Sequence, residues 1–156
     1  MTASRRSSPQ TVVQVRRTLT CSPEQAFRAW TDPQLVPLWF KPRDGSGTRP
    51  EMDVRVGGSY RWGMEREGRV AYAVGEYLTV DPPSRLVFTF GWEQMPGIEL
   101  SDSLVTVEFS PHRDGVEIVI THERLHGREE CELHGQGWRE MLANLTQHLV
   151  SRRKVP

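Results

Sequence analysis

The chain has 156 residues, the length of one domain, and its 37% apolar share with 13 glycines can fill a single core. Twenty basic side chains cancel twenty acidic ones, so the cationic surplus that general nucleic-acid binding needs is missing. No apolar run approaches the ~20 residues of a membrane span, and the pair Cys21 and Cys131 is too few for a disulfide scaffold. The expectation is a cytoplasmic protein.

The neutrality is a sum of unequal parts. Residues 1–50 carry eight basic and three acidic side chains, residues 93–132 carry ten acidic and three basic, and the chain ends on Arg152, Arg153 and Lys154. A dipolar surface of this kind suits a protein partner.

In chain order, residues 1–10 are polar and lack the apolar centre of a secretory signal. They read as a disordered tail, although Arg and Ser without acids also resemble a transit peptide. One domain is expected over 11–153. Val13, Val15 and Leu19 at period two predict a strand over 12–19. Ser22, Pro23 and Gln25 then form a capping box that starts a helix, with Ala26, Phe27 and Trp30 as its apolar stripe. Asp32-Pro33 opens a second short helix through Leu35, Leu38 and Trp39, and a Gly-rich loop follows Pro42.

Six strands are predicted next, over 52–56, 60–65, 70–80, 86–92, 105–109 and 116–122. Turns fall at Gly57-Gly58, Glu67-Gly68, Asp81-Pro82-Pro83 and Asp114-Gly115, with a bulge at Gly75. A loop is expected at 93–101. The last segment, 129–153, is a long helix, because Trp138, Met141, Leu142, Leu145 and Leu149 fall at helical spacing. A meander of strands and one long apolar helical stripe solve each other's burial. The fold class is therefore α+β, a curved antiparallel sheet wrapped around the terminal helix with two short helices closing one end.

Several runs in this order resemble the START-like (SRPBCC) superfamily, in particular the subfamily named after the activator of the large heat-shock ATPase chaperone. They are Arg17-Thr18-Leu19, the run from Phe27 to Pro33, Trp39-Phe40-Lys41-Pro42, the run from Asp53 to Gly58, and Gly75-Glu76-Tyr77. The run from Asp81 to Thr89, Thr121-His122 and Gly137-Trp138 complete the set. The resemblance implies a helix-grip fold of about seven strands with a cavity between sheet and helix. Its members bind lipids, sterols, polyketides or other apolar molecules, and some run cyclase or hydrolase chemistry. This chain departs from the family at Cys21-Ser22-Pro23 and at Phe40-Lys41, so no particular ligand carries over.

Tyr60, Trp62, Phe88, Phe90, Trp92 and Trp138 form an aromatic set that reads either as core packing or as the lining of a pocket of roughly several hundred Å³. Trp39, Phe40, Met64, Ile118, Ile120 and Leu142 join the candidate cavity, with entry near Trp39-Phe40 and the 43–49 loop. His122 shares a face with Val116, Ile118 and Ile120. It reads as a buried neutral histidine, or as a polar anchor or acid/base for a ligand. Arg17, at the parity of Val13 and Val15, is the second candidate anchor, the alternative being an ion pair at the sheet edge.

His126, Glu130, Cys131 and His134 contain zinc-ligand types, but no paired ligand motif is present and no metal is expected. Gly57-Gly58 is followed by neither a helix start nor G-K-[ST], so no nucleotide-type cofactor is expected. The favoured function is binding of an apolar small molecule. An enzyme using the same cavity, and a protein-interaction module that docks a chaperone or a second copy of the chain, are the alternatives.

Overall fold

The computed structural model describes residues 10–93 and 103–153, with side chains through 149. Nearly all of the expected tail at 1–10 and of the loop at 93–101 lies outside the described residues. Strand β1 (Val13–Leu19) leads into helix α1 (Pro23–Thr31) and the one-turn α2 (Val36–Trp39). The short strands β2 (Ser46–Gly47) and β3 (Glu51–Met52) precede five long ones: β4 (Ser59–Arg66), β5 (Arg69–Asp81), β6 (Arg85–Glu93), β7 (Ser103–His112) and β8 (Gly115–Glu123). Helix α3 (Arg128–Arg153) closes the chain.

The sheet runs β1-β8-β7-β6-β5-β4, and β2 and β3 pair one after the other along the far edge of β4. It is therefore seven strands wide, all antiparallel, and curls over α3 as the apolar alternation requires. The first and last strands in the row are β1 and the broken β2/β3 edge. Every predicted inward residue of β8 is buried: Val116, Ile118, Ile120 and His122. The α3 stripe from Trp138 to Leu149 is buried as well.

Local rules hold at α1. The Ser22 hydroxyl accepts from Gln25 N–H at 3.1 Å while the Ser22 N–H donates to Gln25 Oε1 at 2.9 Å. Asp32 ends α1 and its carboxylate accepts from Gln34 N–H, so the second helix starts later than expected, at Val36.

Three expectations shift. The alternation over 52–56 yields only the two residues of β3, because Gly58 N–H turns back onto Arg55 O and leaves Val56 exposed. The β5–β6 bulge lies between Tyr77 and Thr79 rather than at Gly75, which stays in register opposite Tyr60. Gly75 is required for a different reason. A Cβ there would come within 1.9 Å of Thr89 O and 2.7 Å of the Tyr60 ring, which crosses Gly75 to donate its hydroxyl to Thr89 O. At the last hairpin the turn residues are Arg113 and Asp114, and Gly115 already pairs with His112.

The interior is an aromatic stack. Trp30 of α1 lies 4.4 Å from Trp39, 5.9 Å from Trp138, 6.3 Å from Trp62 and 6.3 Å from Phe109, centroid to centroid. Trp39 is held in place by its indole N–H, which donates to Ala29 O at 2.8 Å. The short helices thus do more than close one end of the grip: they push two indoles into it. Trp30→Ala should cost about 3–5 kcal/mol of stability, read as a lowered midpoint in urea with unchanged native secondary structure.

Candidate binding site

The site grows from one buried polar chain. Trp138 on α3 donates its indole N–H to His122 Nδ1 at 3.0 Å, and indole can only donate, so Nδ1 is the acceptor and Nε2 carries the proton. That Nε2–H faces Ser103 Oγ at 3.0 Å, and the Ser103 hydroxyl donates to Phe90 O. Helix α3, β8, β7 and β6 are thereby linked by one directed series of hydrogen bonds. Every polar atom in it is satisfied.

A second tryptophan–histidine pair lies beside it. Trp92 donates to His134 Nε2 at 3.0 Å, and His134 Nδ1–H donates to Glu130 O, one turn back on α3, at 2.8 Å. The two imidazoles meet edge to face at 5.0 Å, and Phe90 packs against both of them. Their protonated nitrogens differ: Nε2 in His122 and Nδ1 in His134. Burial, with His134 nearby, pushes the His122 pKa from 6.5 down to about 3. Burial also lowers that of His134, partly offset by the Glu130 carbonyl that accepts from it. Both rings are neutral at pH 7, and neither has a nitrogen to spare.

Next to His134 the packing opens into an apolar pocket of about 160 Å³. From the sheet side it is lined by Met64, Phe90 and Trp92, and Phe40 closes one wall. Helix α3 contributes Leu133, His134, Gly137, Trp138 and Met141. The volume is smaller than the several hundred Å³ expected, and Trp30 and Trp39 are packed in the core beside it, with Trp30 stacked on the pocket wall residue Trp138. A second, open groove of about 590 Å³ continues from it past Lys41, Pro42 and the β4–β5 hairpin. The two share Met64, Leu133, Gly137 and Met141.

Of the candidate residues, Phe40, Met64, Phe90, Trp92 and Trp138 line this pocket. Trp39, Tyr60, Trp62, Phe88, Ile118, Ile120 and Leu142 are buried in the packed core beside it. His122 stands behind Trp138 and Phe90 and reaches no open space, since it is 0% exposed. Arg17 is exposed on the edge strand, and the ion pair formed at that edge belongs to its neighbour Arg16, with Glu117.

Leu133, His134, Gly137 and Met141 complete the lining without having been singled out for it. His134 and Met141 are legible after the fact, because His134 extends the buried α3 stripe one turn before Trp138. The two helix glycines divide their roles. A Cβ on Gly135 would sit 3.0 Å from Val13 Cγ2, so helix and sheet meet closely there, whereas a Cβ on Gly137 would meet nothing within 4 Å. Gly137 leaves room.

Among the described residues no three His, Cys, Asp or Glu side chains converge on one point. His134 and Cys131 are buried on α3, while His126 is exposed and its ring approaches Glu130 at 3.9 Å. No described helix is long and apolar enough to cross a membrane.

A curled sheet gripping a long C-terminal helix, with an apolar pocket in the grip, defines a START-like helix-grip protein. Residues 20–150 match the family model described as Activator of Hsp90 ATPase homolog 1-like protein, and the chain belongs to this family. Its fold is similar to that of a Rhodobacter sphaeroides protein, 24% identical with a TM-score of 0.76 over 90% of this chain and 93% of that one. A Mesorhizobium loti protein is 25% identical, with a TM-score of 0.72 over 92% and 99%. The solution structure of an AHSA1-like protein from Aeromonas hydrophila is 19% identical, with a TM-score of 0.77 over 90% and 93%. No curated protein matches the chain significantly.

The histidine pair sets a pH dependence. In the unfolded chain an imidazole protonates near 6.5, while folded His122 resists until about 3. The unfolded state therefore binds more protons in that window, so the stability from a neutral His122 is complete above 6.5 and falls as pH drops towards 3. His134 acts in the same direction. His122→Gln keeps an acceptor and a donor without titrating, so urea midpoints from pH 7 to about 4 should fall less steeply in the variant than in the native chain. Parallel profiles would contradict a buried neutral His122.

Proposed function

We propose that the protein binds a small apolar molecule in the pocket between α3 and strands β4 and β6. The observation that carries this is the pocket itself: about 160 Å³, walled by Phe40, Met64, Phe90, Trp92, Trp138 and Met141. An apolar cavity of about 150 Å³ in another protein stays dry and accepts benzene, so the space suits one aromatic ring or a short branched chain rather than a sterol. Binding rests on burial, at about 25 cal/mol per Å² of apolar surface, with the Trp92 and Trp138 rings offering stacking faces.

Binding is favoured over chemistry on the same grounds. A general acid or base needs a nitrogen or oxygen free to exchange a proton with the ligand. His134, the titratable wall residue, has both ring nitrogens committed to Trp92 and Glu130. Its role is to hold Trp92 in place.

Gly137 offers a clean test. Leucine there extends into open space and removes a helix-interior glycine, a gain of up to about 1 kcal/mol in helix propensity. Gly137→Leu should therefore keep or raise the thermal midpoint while abolishing binding of ring-sized probes such as toluene or indole, followed by quenching of tryptophan fluorescence and by native mass spectrometry. Undiminished probe binding in a folded Gly137→Leu protein would refute the pocket as the site.

A further inference from the structure

The concave face changes character at the open end of the pocket. Along β4, Tyr60, Trp62 and Met64 face inward in alternation, and the next residue at that parity is Arg66. Along β5 the same face runs outward through Ala73 and Ala71 to Arg69. Glu67 and Gly68 join the strands in a two-residue turn with φ of 54° and 78°, the hairpin geometry that sets the flanking residues directly opposite. The flanking residues are Arg66 and Arg69. Like charges facing each other across a ladder are unfavourable, yet this turn imposes them where the apolar wall ends.

Lys41 supplies a third cation to the lining of the groove. Its carbonyl accepts from Asn144 Nδ2 at 3.2 Å, and Trp39 O accepts from the same amide at 3.1 Å, which ties this corner to α3. Arg66 meets Asp44 at 3.3 Å in an exposed pair, worth little in water. Among the described residues, neither Lys41 nor Arg69 has an ion-pair partner. Glu67 and Glu140 also line the groove, so with Asp44 on Arg66 three carboxylates match the three cations in number, and the two cations left without an ion-pair partner are Lys41 and Arg69.

We infer that the ligand is amphipathic: its ring enters the pocket walled by Phe90, Trp92 and Trp138, and an anionic group on a short arm lies in the groove between Arg66, Arg69 and Lys41. This rests on the pocket being the binding site and adds the chemical class, a small aryl carboxylate. The anion relieves the repulsion that the hairpin builds in, which a neutral ligand cannot do.

Titration calorimetry with 3-phenylpropionate and its uncharged amide separates the two claims. The acid should bind roughly fivefold more tightly than the amide, the scale of a few exposed charge contacts, and added salt should erode that margin. In an Arg66→Gln/Arg69→Gln/Lys41→Gln triple variant the acid should fall to the affinity of the amide, with the amide unchanged and the thermal midpoint confirming the fold. Equal affinities in the native protein, or a margin that survives the triple variant, overturn the anion subsite. The pocket reading then stands if Gly137→Leu removes both compounds. If neither compound binds, or both still bind Gly137→Leu, the pocket reading falls and the anion subsite falls with it.

Discussion

Trp138 donates its indole N–H across the gap between helix and sheet to His122 Nδ1, and the position of the pocket follows from that bond. A donor-only indole buried against a strand needs an acceptor, and an imidazole buried in place of an aliphatic residue needs partners for both nitrogens. The pair satisfies each other, and Ser103 and the Phe90 carbonyl complete the series on the far side. This fixes α3 along and about its axis relative to β6–β8. Gly137, one residue earlier, is then turned towards Met64 and Trp92 with no side chain to fill the space. The pocket is the volume left where the helix is pinned but bare.

The same stack explains why the space is small. A sheet curled over a single helix leaves more interior than the helix can fill, and α1 and α2 fill most of it with Trp30 and Trp39. Among the described residues, space remains beside Trp138, where Phe40 forms a wall. Close packing and open space are divided spatially. The indoles around Trp30 pack against it, while the end facing the β4–β5 hairpin is open and meets the groove. Apolar wall and charged rim belong to one alternation along β4, in which Met64 is followed on the same face by Arg66.

Much of this was readable from local chemistry. The Ser22–Gln25 capping box, the alternation of Val116, Ile118, Ile120 and His122, and the helical spacing from Trp138 to Leu149 each depend on residues close in sequence. Each appears in the fold as read. Where a pattern needed a distant partner it misled. The alternation over 52–56 became two residues of edge strand, because the chain turns back at Arg55–Gly58. Gly75 suggested a bulge by its type, but its reason is the Tyr60 ring crossing it from the neighbouring strand. His122 drew attention as an inward histidine, whereas His134, one turn before Trp138 on the same stripe, is the histidine that reaches the pocket. Telling them apart requires knowing which ring nitrogens are occupied.

The sequence by itself determined the α+β class, the order of the long strands, the faces they bury and the helix they wrap, because period, capping and turn chemistry act over a few residues. It also carried the resemblance to the family that residues 20–150 match. Tertiary structure alone decided how much room remains and where. A cavity is a difference between the volume enclosed by elements far apart in sequence and the side chains that enter it, so Trp30 from α1 and the missing side chain at Gly137 on α3 set it jointly. Charge follows the same rule: the net neutrality of the chain says nothing of which charges meet, and the turn at Glu67-Gly68 sets Arg66 opposite Arg69 in the groove that adjoins the apolar pocket.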